Sequence, residues 1–322
     1  MVSELSVANI EEASLSISPR FTDTPQFEDP GLSDHFGTPV VVKVECMNLL
    51  RSFKGRGADY CMSKVEKGRP VITASAGNFG QAIAWAGATR ALDVRVFAAR
   101  TANKRKVDRM RALGAEVTLV GDDFDSAKAA ARDFAASHPD GLFVEDGREP
   151  AISEGAGTIG LELAHEDLDT LLVPLGNGAL VTGVGTWMKV RSPQTRIIGV
   201  VAEAAPSMLL SWQRKAEVPA QAATIADGIA IRIPVPAALS WMEATVDDVV
   251  SVSETSIYNA MVLVRDTLGL TLEPAAAVGV AALIEDPGLC RGRVGTILTG
   301  SNISDELARA LHGGELVTEA LA

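Results

Sequence analysis

The segment Ser52-Phe53-Lys54-Gly55-Arg56-Gly57-Ala58 places a lysine between an aromatic residue and two glycines. An apolar stretch typical of a strand precedes it and a helical pattern follows, so Lys54 stands at a strand-to-helix corner. Such a corner can hold the side chain in a partly dry pocket. There, loss of hydration disfavours the charged amine and favours imine formation with an aldehyde cofactor. The alternative interpretation is a surface lysine at a helix start.

A second loop, Ser75-Ala76-Gly77-Asn78-Phe79-Gly80-Gln81, joins a predicted strand to a predicted helix. Its small residues expose backbone N–H groups near the helix N-terminus, which predicts a binding place for a carboxylate. Ser75 and Asn78 add side-chain donors. Taken alone, the loop is equally well explained as an ordinary N-cap turn.

Two more turns follow predicted strands. Leu175-Gly176-Asn177-Gly178-Ala179-Leu180 can wrap a phosphate with backbone amides, although it lacks the Lys-Ser/Thr of a nucleotide P-loop. Thr299-Gly300-Ser301-Asn302 offers a hydroxyl that can hydrogen-bond a heteroaromatic nitrogen. By contrast, Gly155–Gly160 matches the dinucleotide fingerprint by letter but follows no strand, so it predicts close helix packing.

The segments between these loops alternate short apolar strands with amphipathic helices, which predicts βαβ units and a mainly parallel sheet. The expected strands are Pro39–Glu45, Val71–Ala74, Val94–Ala98, Glu116–Val120, Leu142–Val144, Thr170–Pro174, Arg196–Val201 and Gly295–Leu298. The expected helices are Gly55–Gly68, Gln81–Arg90, Lys104–Leu113, Ser126–Ala136, Ser256–Leu268 and Pro274–Ile284, and Gly183–Val190 continues the alternation. Residues 1–36 look irregular and are expected to lie over the surface.

The two halves of the chain are alike at this level, which favours an α/β fold of two open, mainly parallel, twisted-sheet lobes with a cleft between them. Ligands of such sheets bind at the carboxyl ends of the strands, where all four loops lie.

Composition excludes several classes of function. The 322-residue chain has a net charge of −12, which disfavours nucleic acid and anionic membrane partners. No apolar run is long enough to cross a bilayer, and no signal peptide is recognisable. Three widely spaced cysteines and four scattered histidines indicate reduced thiols and no histidine metal site. These features predict a cytoplasmic protein.

Together and in this order, the four loops resemble those of the tryptophan-synthase-like (fold type II) pyridoxal-phosphate enzymes, most of all the serine/threonine dehydratases and serine racemase. The resemblance runs from about Thr24-Pro25 to Asn302. Other segments that carry it are Lys43–Glu45, Lys106–Glu116, Gly157–Glu162, Thr224–Ala230 and Glu273-Pro274. It implies a cofactor in the cleft, a large cofactor-binding domain of residues 1–54 and 146–322, a small domain of residues 55–145 that closes over the substrate, and a homodimer.

The resemblance also implies roles for individual residues. Lys54 would hold pyridoxal phosphate as a Schiff base, Phe53 would pack near its ring, Asn78 would bond the ring hydroxyl, and Thr299 would face the pyridine nitrogen. The expected phosphate site is Gly176, Asn177, Gly178, Ala179 and Leu180, and the expected substrate carboxylate site is Ser75, Ala76, Gly77, Asn78 and Phe79. A neutral hydroxyl cannot keep the pyridine nitrogen protonated, which favours expulsion of a β-substituent over a long-lived carbanion.

The implied activity is a lyase reaction that removes the β-hydroxyl of threonine, serine or an analogue and yields a 2-oxo acid and ammonia. One alternative is a β-replacement transferase similar to cysteine or threonine synthase. Another is a non-catalytic homologue that binds an amino acid. Thr224–Ala230 and Glu273-Pro274 favour the dehydratases.

The chain departs from the family pattern near the reacting lysine. Arg51 replaces a common glycine and could contact an acidic substrate side chain or point to solvent. Phe79 replaces a frequent histidine, and Asn177 interrupts a glycine run at a place where asparagine tolerates positive φ. Ala76 replaces the second catalytic serine of serine racemase, which disfavours racemisation.

Two further departures concern regulation. The family's divalent-cation site uses a glutamate that matches Glu203 and an aspartate six residues later, where this chain has Leu209, so no bound metal is expected. The chain ends shortly after Asn302, which leaves no room for an amino-acid-sensing domain and predicts no feedback control by isoleucine.

Overall fold

The computed structural model describes residues 5–313 and contains two sheets. Strands β1–β10 are Gln26–Glu28, Val40–Val44, Val71–Ala74, Val94–Ala98, Glu116–Leu119, Leu142–Phe143, Thr170–Pro174, Arg196–Ala202, Asp248–Val252 and Val294–Leu298. The larger sheet has the order β1-β2-β10-β7-β8-β9, and the smaller has the order β5-β4-β3-β6. Every pairing is parallel except that of β1 with β2.

Helices cover both faces of the larger sheet, as parallel sheets require. Helices α1–α13 are Val7–Ser16, Pro30–Phe36, Lys54–Ser63, Asn78–Ala88, Lys104–Ala112, Phe124–Ala136, Pro150–Leu163, Ala179–Arg191, Ser207–Arg214, Pro236–Thr245, Glu254–Leu268, Pro274–Glu285 and Asp305–Gly313. Alternate side chains of β2 point to opposite faces of the sheet. Val40, Val42 and Val44 pack in the core formed with α11 and α12, whereas Val41 packs in the core formed with α7 and α8. The predicted fold class is confirmed.

The prediction for the N-terminal segment is wrong within the described residues. Instead of an irregular surface stretch, it forms α1, β1 and α2, and it buries Ile10, Phe21 and Leu32 completely. Ser6 caps α1 and Asp29 caps α2 through side-chain acceptors. The apolar residues of this polar segment are too sparse to show a clear helical periodicity, although Ser6 and Asp29 are typical capping residues. Residues 1–4 lie outside the described part.

Several predicted boundaries also need correction. Helix α3 begins at Lys54 itself and ends at Ser63 rather than at Gly68, and α4 begins at Asn78 rather than Gln81. The segment Gly183–Val190 is the interior of a longer helix, α8. Helices α9 and α10 and strand β9 were not predicted. In each early start, the helix begins inside a loop whose glycines and small residues had suggested irregular structure.

The glycine-rich segment Gly155–Gly160 lies inside α7 and packs helices, as predicted. A methyl group at Gly155 would come within 2.7 Å of the Cα of Gly57 in α3, and one at Gly157 within 2.8 Å of the carbonyl oxygen of Gly183 in α8. These glycines therefore let α3, α7 and α8 approach closely. The contact fixes α3, and with it the lysine at its first turn.

A cluster of four buried charges lies under α3; we call it the buried quartet, and it consists of Lys43, Glu45, Arg56 and Glu162. Arg56 is fully buried and bonds Glu45 through Nη2 at 2.8 Å and Nε at 2.9 Å, and Glu162 through Nη1 at 2.5 Å. Burial alone would lower the pKa of Arg56, but the two carboxylates outweigh it and raise that pKa. Lys43 pairs with Glu162. Two cations thus balance two anions in the core.

Candidate active site

The loop before α3 is tied to the end of β10. The N–H of Phe53 donates to the carbonyl of Thr299 at 3.0 Å, and the N–H of Ser301 donates to the carbonyl of Arg51 at 3.0 Å. Ser52 and Gly300 form an isolated antiparallel bridge between these two hydrogen bonds. The first and fourth predicted loops are therefore fixed against each other, with Lys54 and Thr299 at the same edge of the larger sheet.

A cavity of 330 Å³ lies between the two sheets at the carboxyl ends of their strands. It is lined by every residue predicted for the site, namely Phe53, Lys54, Ser75, Ala76, Gly77, Asn78, Phe79, Gly176, Asn177, Gly178, Ala179, Leu180 and Thr299. The structure thus brings all four loops together around one space. Arg51 does not line this cavity; its side chain is exposed, which fits the solvent-facing alternative.

The amine of Lys54 lies in the cavity wall and is paired with a carboxylate. Its Nζ lies 2.6 Å from Oδ2 of Asp146 and 4.6 Å from the centroid of the Phe53 ring. The Lys54 side chain is 16% exposed and that of Asp146 is 10% exposed, so the pair is largely shielded from water. The Asp146 Oδ1 atom is buried and has no hydrogen-bond partner within residues 5–313.

The loop after β3 uses one hydroxyl to hold its shape. Oγ of Ser75 accepts hydrogen bonds from the N–H groups of Gly77 at 3.2 Å and Gly80 at 2.9 Å. A methyl group at Gly77 would meet no atom within 4 Å, so this part of the loop borders open space. Since Ala76 has no polar side chain, the loop offers mainly backbone donors and the Asn78 amide.

The turn after β7 leads directly into α8. Gly178 adopts φ of 95°, and a methyl group there would also come within 2.7 Å of Ala238 Cβ, so glycine is required. Asn177 is not among the residues with positive φ, so the asparagine replaces a glycine where no left-handed conformation is needed. The first amides of α8 have no acceptor within the helix and lie at its positive end.

Asn78 is held between two neighbours. Its Nδ2 donates to Oε1 of Glu273 at 2.7 Å, and its Oδ1 accepts from Nδ2 of Asn302 at 2.8 Å. Glu273 is 4% exposed, and burial raises its pKa to about 7 despite the hydrogen bond from Asn78. The Asn78 side chain is thereby oriented toward the cavity by a carboxyl group that titrates near neutral pH.

This shift predicts a pH effect on stability. The pKa of Glu273 in the folded protein lies above the ordinary glutamate value of 4.5, so the folded protein holds a proton between pH 4.5 and 7 that unfolding releases. Stability contributed by this group therefore falls as pH rises through that window. Glu273→Gln should become more stable relative to wild type between pH 5 and 8, by on the order of 2 kcal/mol.

Urea unfolding of both proteins at pH 5 and pH 8 measures this difference. Glu243→Gln, on the exposed side of α10, is the matched control and should leave the difference flat. A stability gap between Glu273→Gln and wild type that is the same at both pH values contradicts the prediction.

Sequence reasoning missed several charged residues in the cavity wall: Lys106, Lys128, Glu145, Asp146 and Asp227. Two of them pair across the cleft, since Lys106 Nζ on α5 lies 2.6 Å from Asp227 Oδ2. Asp146 carried a usable signal, because it follows a predicted strand and the carboxyl ends of parallel strands meet at one edge. Lys106 and Lys128 gave no such signal, because the sequence does not show that their partners, Asp227 and Glu145, lie beside them.

Known proteins match this chain over most of its length. A family model described as pyridoxal-phosphate dependent enzyme matches residues 17–300. The chain belongs to this family. An L-threonine ammonia-lyase of Geobacter sulfurreducens is 36% identical over 302 residues, which cover 91% of this chain and 75% of that protein. An L-threonine ammonia-lyase of Thermotoga maritima is 34% identical over 278 residues, covering 84% and 69%.

Solved structures of pyridoxal-phosphate enzymes superpose well on this chain. The processed form of threonine deaminase isoform 2 from Solanum lycopersicum superposes with a TM-score of 0.87 at 28% identity, over 97% of this chain and 90% of that one. A pyridoxal 5'-phosphate-dependent aspartate racemase gives 0.86 at 28% identity, over 94% and 97%. The family resemblance inferred from the four loops is confirmed, and so is the cofactor.

The cavity fits pyridoxal phosphate on its own chemistry. It offers a shielded amine at Lys54 for the aldehyde, the free amides of the α8 N-terminus for the phosphate, and an aromatic ring at Phe53 beside that amine.

Within residues 5–313, no group of three or more His, Cys, Asp or Glu side chains is arranged to hold a metal ion. The expectation of no metal at Glu203 stays a prediction. No helix of this part is long and apolar enough to cross a membrane.

Proposed function

We propose that this enzyme is an ammonia-lyase that removes the β-hydroxyl of threonine, serine or a close analogue and releases a 2-oxo acid and ammonia. The observation that carries the proposal is the shielded Lys54 amine in a cavity formed by all four loops. The relatives named L-threonine ammonia-lyase support the substrate class. At 330 Å³ the cavity is at the small end of ligand sites, which suits the cofactor with a short side chain.

Pyridoxal phosphate, when bound, supplies the electron sink that makes the α-proton of an amino acid acidic. Lys54 would hold the cofactor through its amine, and as a free neutral amine it would take the α-proton as general base. Gly176, Asn177, Gly178, Ala179 and Leu180 hold the phosphate with backbone amides at the start of α8. Thr299 would offer its hydroxyl to the pyridine nitrogen, and Phe53 shields one side of the amine from water.

The substrate carboxylate is bound by the loop of Ser75, Ala76, Gly77, Asn78 and Phe79. Its small residues leave open space beside Gly77, and the loop leads into the N-terminus of α4, the positive end of that helix. Glu273 orients Asn78, whose amide nitrogen keeps a second hydrogen for the ring hydroxyl of the cofactor. Phe79, with its ring 5.9 Å from Lys54 Nζ, makes this side of the pocket apolar.

The two sheets support a proposed division into domains. The four-stranded sheet lies within residues 55–145, and the six-stranded sheet is built from the chain on either side of it. We therefore propose residues 1–54 and 146–322 as the cofactor-binding domain and residues 55–145 as the domain that closes over the substrate. A homodimeric, cytoplasmic protein remains part of the proposal.

A product assay tests the proposed reaction. Cofactor-loaded protein is incubated with L- and D-forms of serine, threonine and other β-hydroxy amino acids, and 2-oxo acid and ammonia are measured. We expect equal amounts of the two products from at least one substrate. A product that forms only when a thiol or other nucleophile is added, with no free oxo acid, contradicts the proposal and supports β-replacement.

A further inference from the structure

We infer that Asp146 selects the substrate by its β-substituent: it favours a group that donates hydrogen bonds or carries positive charge, and it rejects a carboxylate. The inference rests on the proposed function, since it assumes an α-amino acid that reacts at Lys54. Asp146 lies in the cavity wall, is about nine-tenths buried, and has one carboxylate oxygen without a partner among the described residues.

The Asp146 carboxylate depends on Lys54 for its charge balance. Its single ion-pair partner within residues 5–313 is the Lys54 amine at 2.6 Å, and the Asn177 amide reaches it only at 3.4 Å. Lys54 can take an α-proton only as a neutral amine, and in that form it no longer offers a cation. Asp146 is then a shielded carboxylate without a counter-charge, which is unfavourable unless another donor pairs with it.

The neighbouring carboxyl groups have polar partners other than Lys54. Glu145 pairs with Lys128 and with Arg132 Nη2 at 2.8 Å, and burial, which would raise its pKa, is outweighed by these cations so that the pKa is lowered. Asp227 pairs with Lys106 and is largely exposed. Glu273 accepts a hydrogen bond from Asn78. Asp146 is therefore the carboxylate in the cavity wall whose charge a donor group of the substrate can balance.

The position of Asp146 matches the substrate's β-substituent. A general base lies within about 3 Å of the proton that it removes, so the α-carbon lies next to Lys54 Nζ during the reaction. The β-substituent is two bonds from that carbon, and the Asp146 carboxylate lies 2.6 Å from the same nitrogen. A β-hydroxyl or β-ammonium group can donate to the Asp146 carboxylate in place of the Lys54 ammonium, at Oδ2, whereas a β-carboxylate would place two anions in a shielded space.

Three amino acids that differ in the β-substituent test this directly. L-serine, L-2,3-diaminopropionate and L-aspartate carry a hydroxyl, an ammonium and a carboxylate on the same carbon. Cofactor-loaded protein is mixed with each in a stopped-flow instrument, and the early change in cofactor absorbance gives the dissociation constant before turnover. We expect L-aspartate to bind at least tenfold more weakly than both L-serine and L-2,3-diaminopropionate.

The Asp146→Asn variant should reduce these differences in dissociation constant, because asparagine keeps the size of the side chain and removes its charge. We expect the ratio of the L-aspartate to the L-2,3-diaminopropionate dissociation constant to fall at least tenfold. Asp122→Asn, the same change at an exposed surface position, is the matched control and should leave the ratio unchanged.

Either of two results overturns the inference: wild type that binds L-aspartate as tightly as L-serine, or an Asp146→Asn variant with the wild-type ratio. The wild-type result stands even where the variant fails to fold or to load the cofactor. Failure of the proposed function is recognised separately, since it is the absence of oxo acid from the β-hydroxy amino acids, whatever the binding ratios are.

Discussion

Lys54→Ala is expected to lower the rate of oxo-acid formation by at least about 10³-fold, within the range that general acid–base catalysis contributes. In the proposed mechanism, alanine removes both the amine that would attach the cofactor and the base that would take the α-proton. It also leaves Asp146, 2.6 Å from the lost nitrogen, without its cation. The variant should still fold, because the Lys54 side chain lies in a cavity wall rather than in the packed core.

Turnover and cofactor absorbance of purified Lys54→Ala measure this effect. Lys104→Ala is the matched control: this lysine is 88% exposed on α5 and pairs with Asp108 in the next turn. The control should keep wild-type rates. A Lys54→Ala protein that retains more than about a tenth of wild-type turnover contradicts the assignment of Lys54 as the base.

Arg56→Met is expected to lower the free energy of unfolding by roughly 3–5 kcal/mol, the usual cost of breaking a buried ion pair by removing one partner. Methionine keeps an unbranched, flexible side chain but is shorter and uncharged, so Glu45 and Glu162 are left with Lys43 as their one remaining cation in the buried quartet. Because α3 carries Arg56 and begins at Lys54, the loss should also loosen the first turn of that helix.

Urea unfolding at pH 7 measures the change, with Arg191→Met as the control. Arg191 makes an ion pair of similar length, 2.8 Å to Glu11 Oε1, but is 51% exposed. Its replacement should cost less than about 1 kcal/mol, as surface pairs do. Equal effects of the two substitutions would show that burial of the Arg56 network contributes little.

The sequence predicted the four loops and their order because each follows an apolar strand, and parallel strands bring such loops to one edge. Their residues proved to line one cavity. The same reasoning identified Lys43–Glu45, Arg56 and Gly157–Glu162 only as parts of a family resemblance. Their physical role, the buried quartet, joins residues up to 119 positions apart. No local pattern predicts pairings over that distance.

Arg51 illustrates a different gap. The family commonly has glycine here, and the structure gives the reason: Arg51 has φ of 52°, the left-handed region that glycine adopts without cost. The sequence suggested a substrate contact as one reading of this arginine, whereas the backbone explains the position and the side chain is exposed. Asp146 was overlooked although it follows a predicted strand, since a lone aspartate after a short strand resembles any turn residue.

The lysine that binds the cofactor can be located by chemical trapping, and its identity decides whether Lys54 has the proposed role. Three lysines line the cavity, Lys54, Lys106 and Lys128, so the result is not fixed by proximity alone. Protein loaded with pyridoxal phosphate is reduced with borohydride, digested and mapped by mass spectrometry. We expect the cofactor to be attached to the peptide containing Lys54. Attachment to Lys106 or Lys128 in place of Lys54 would contradict it.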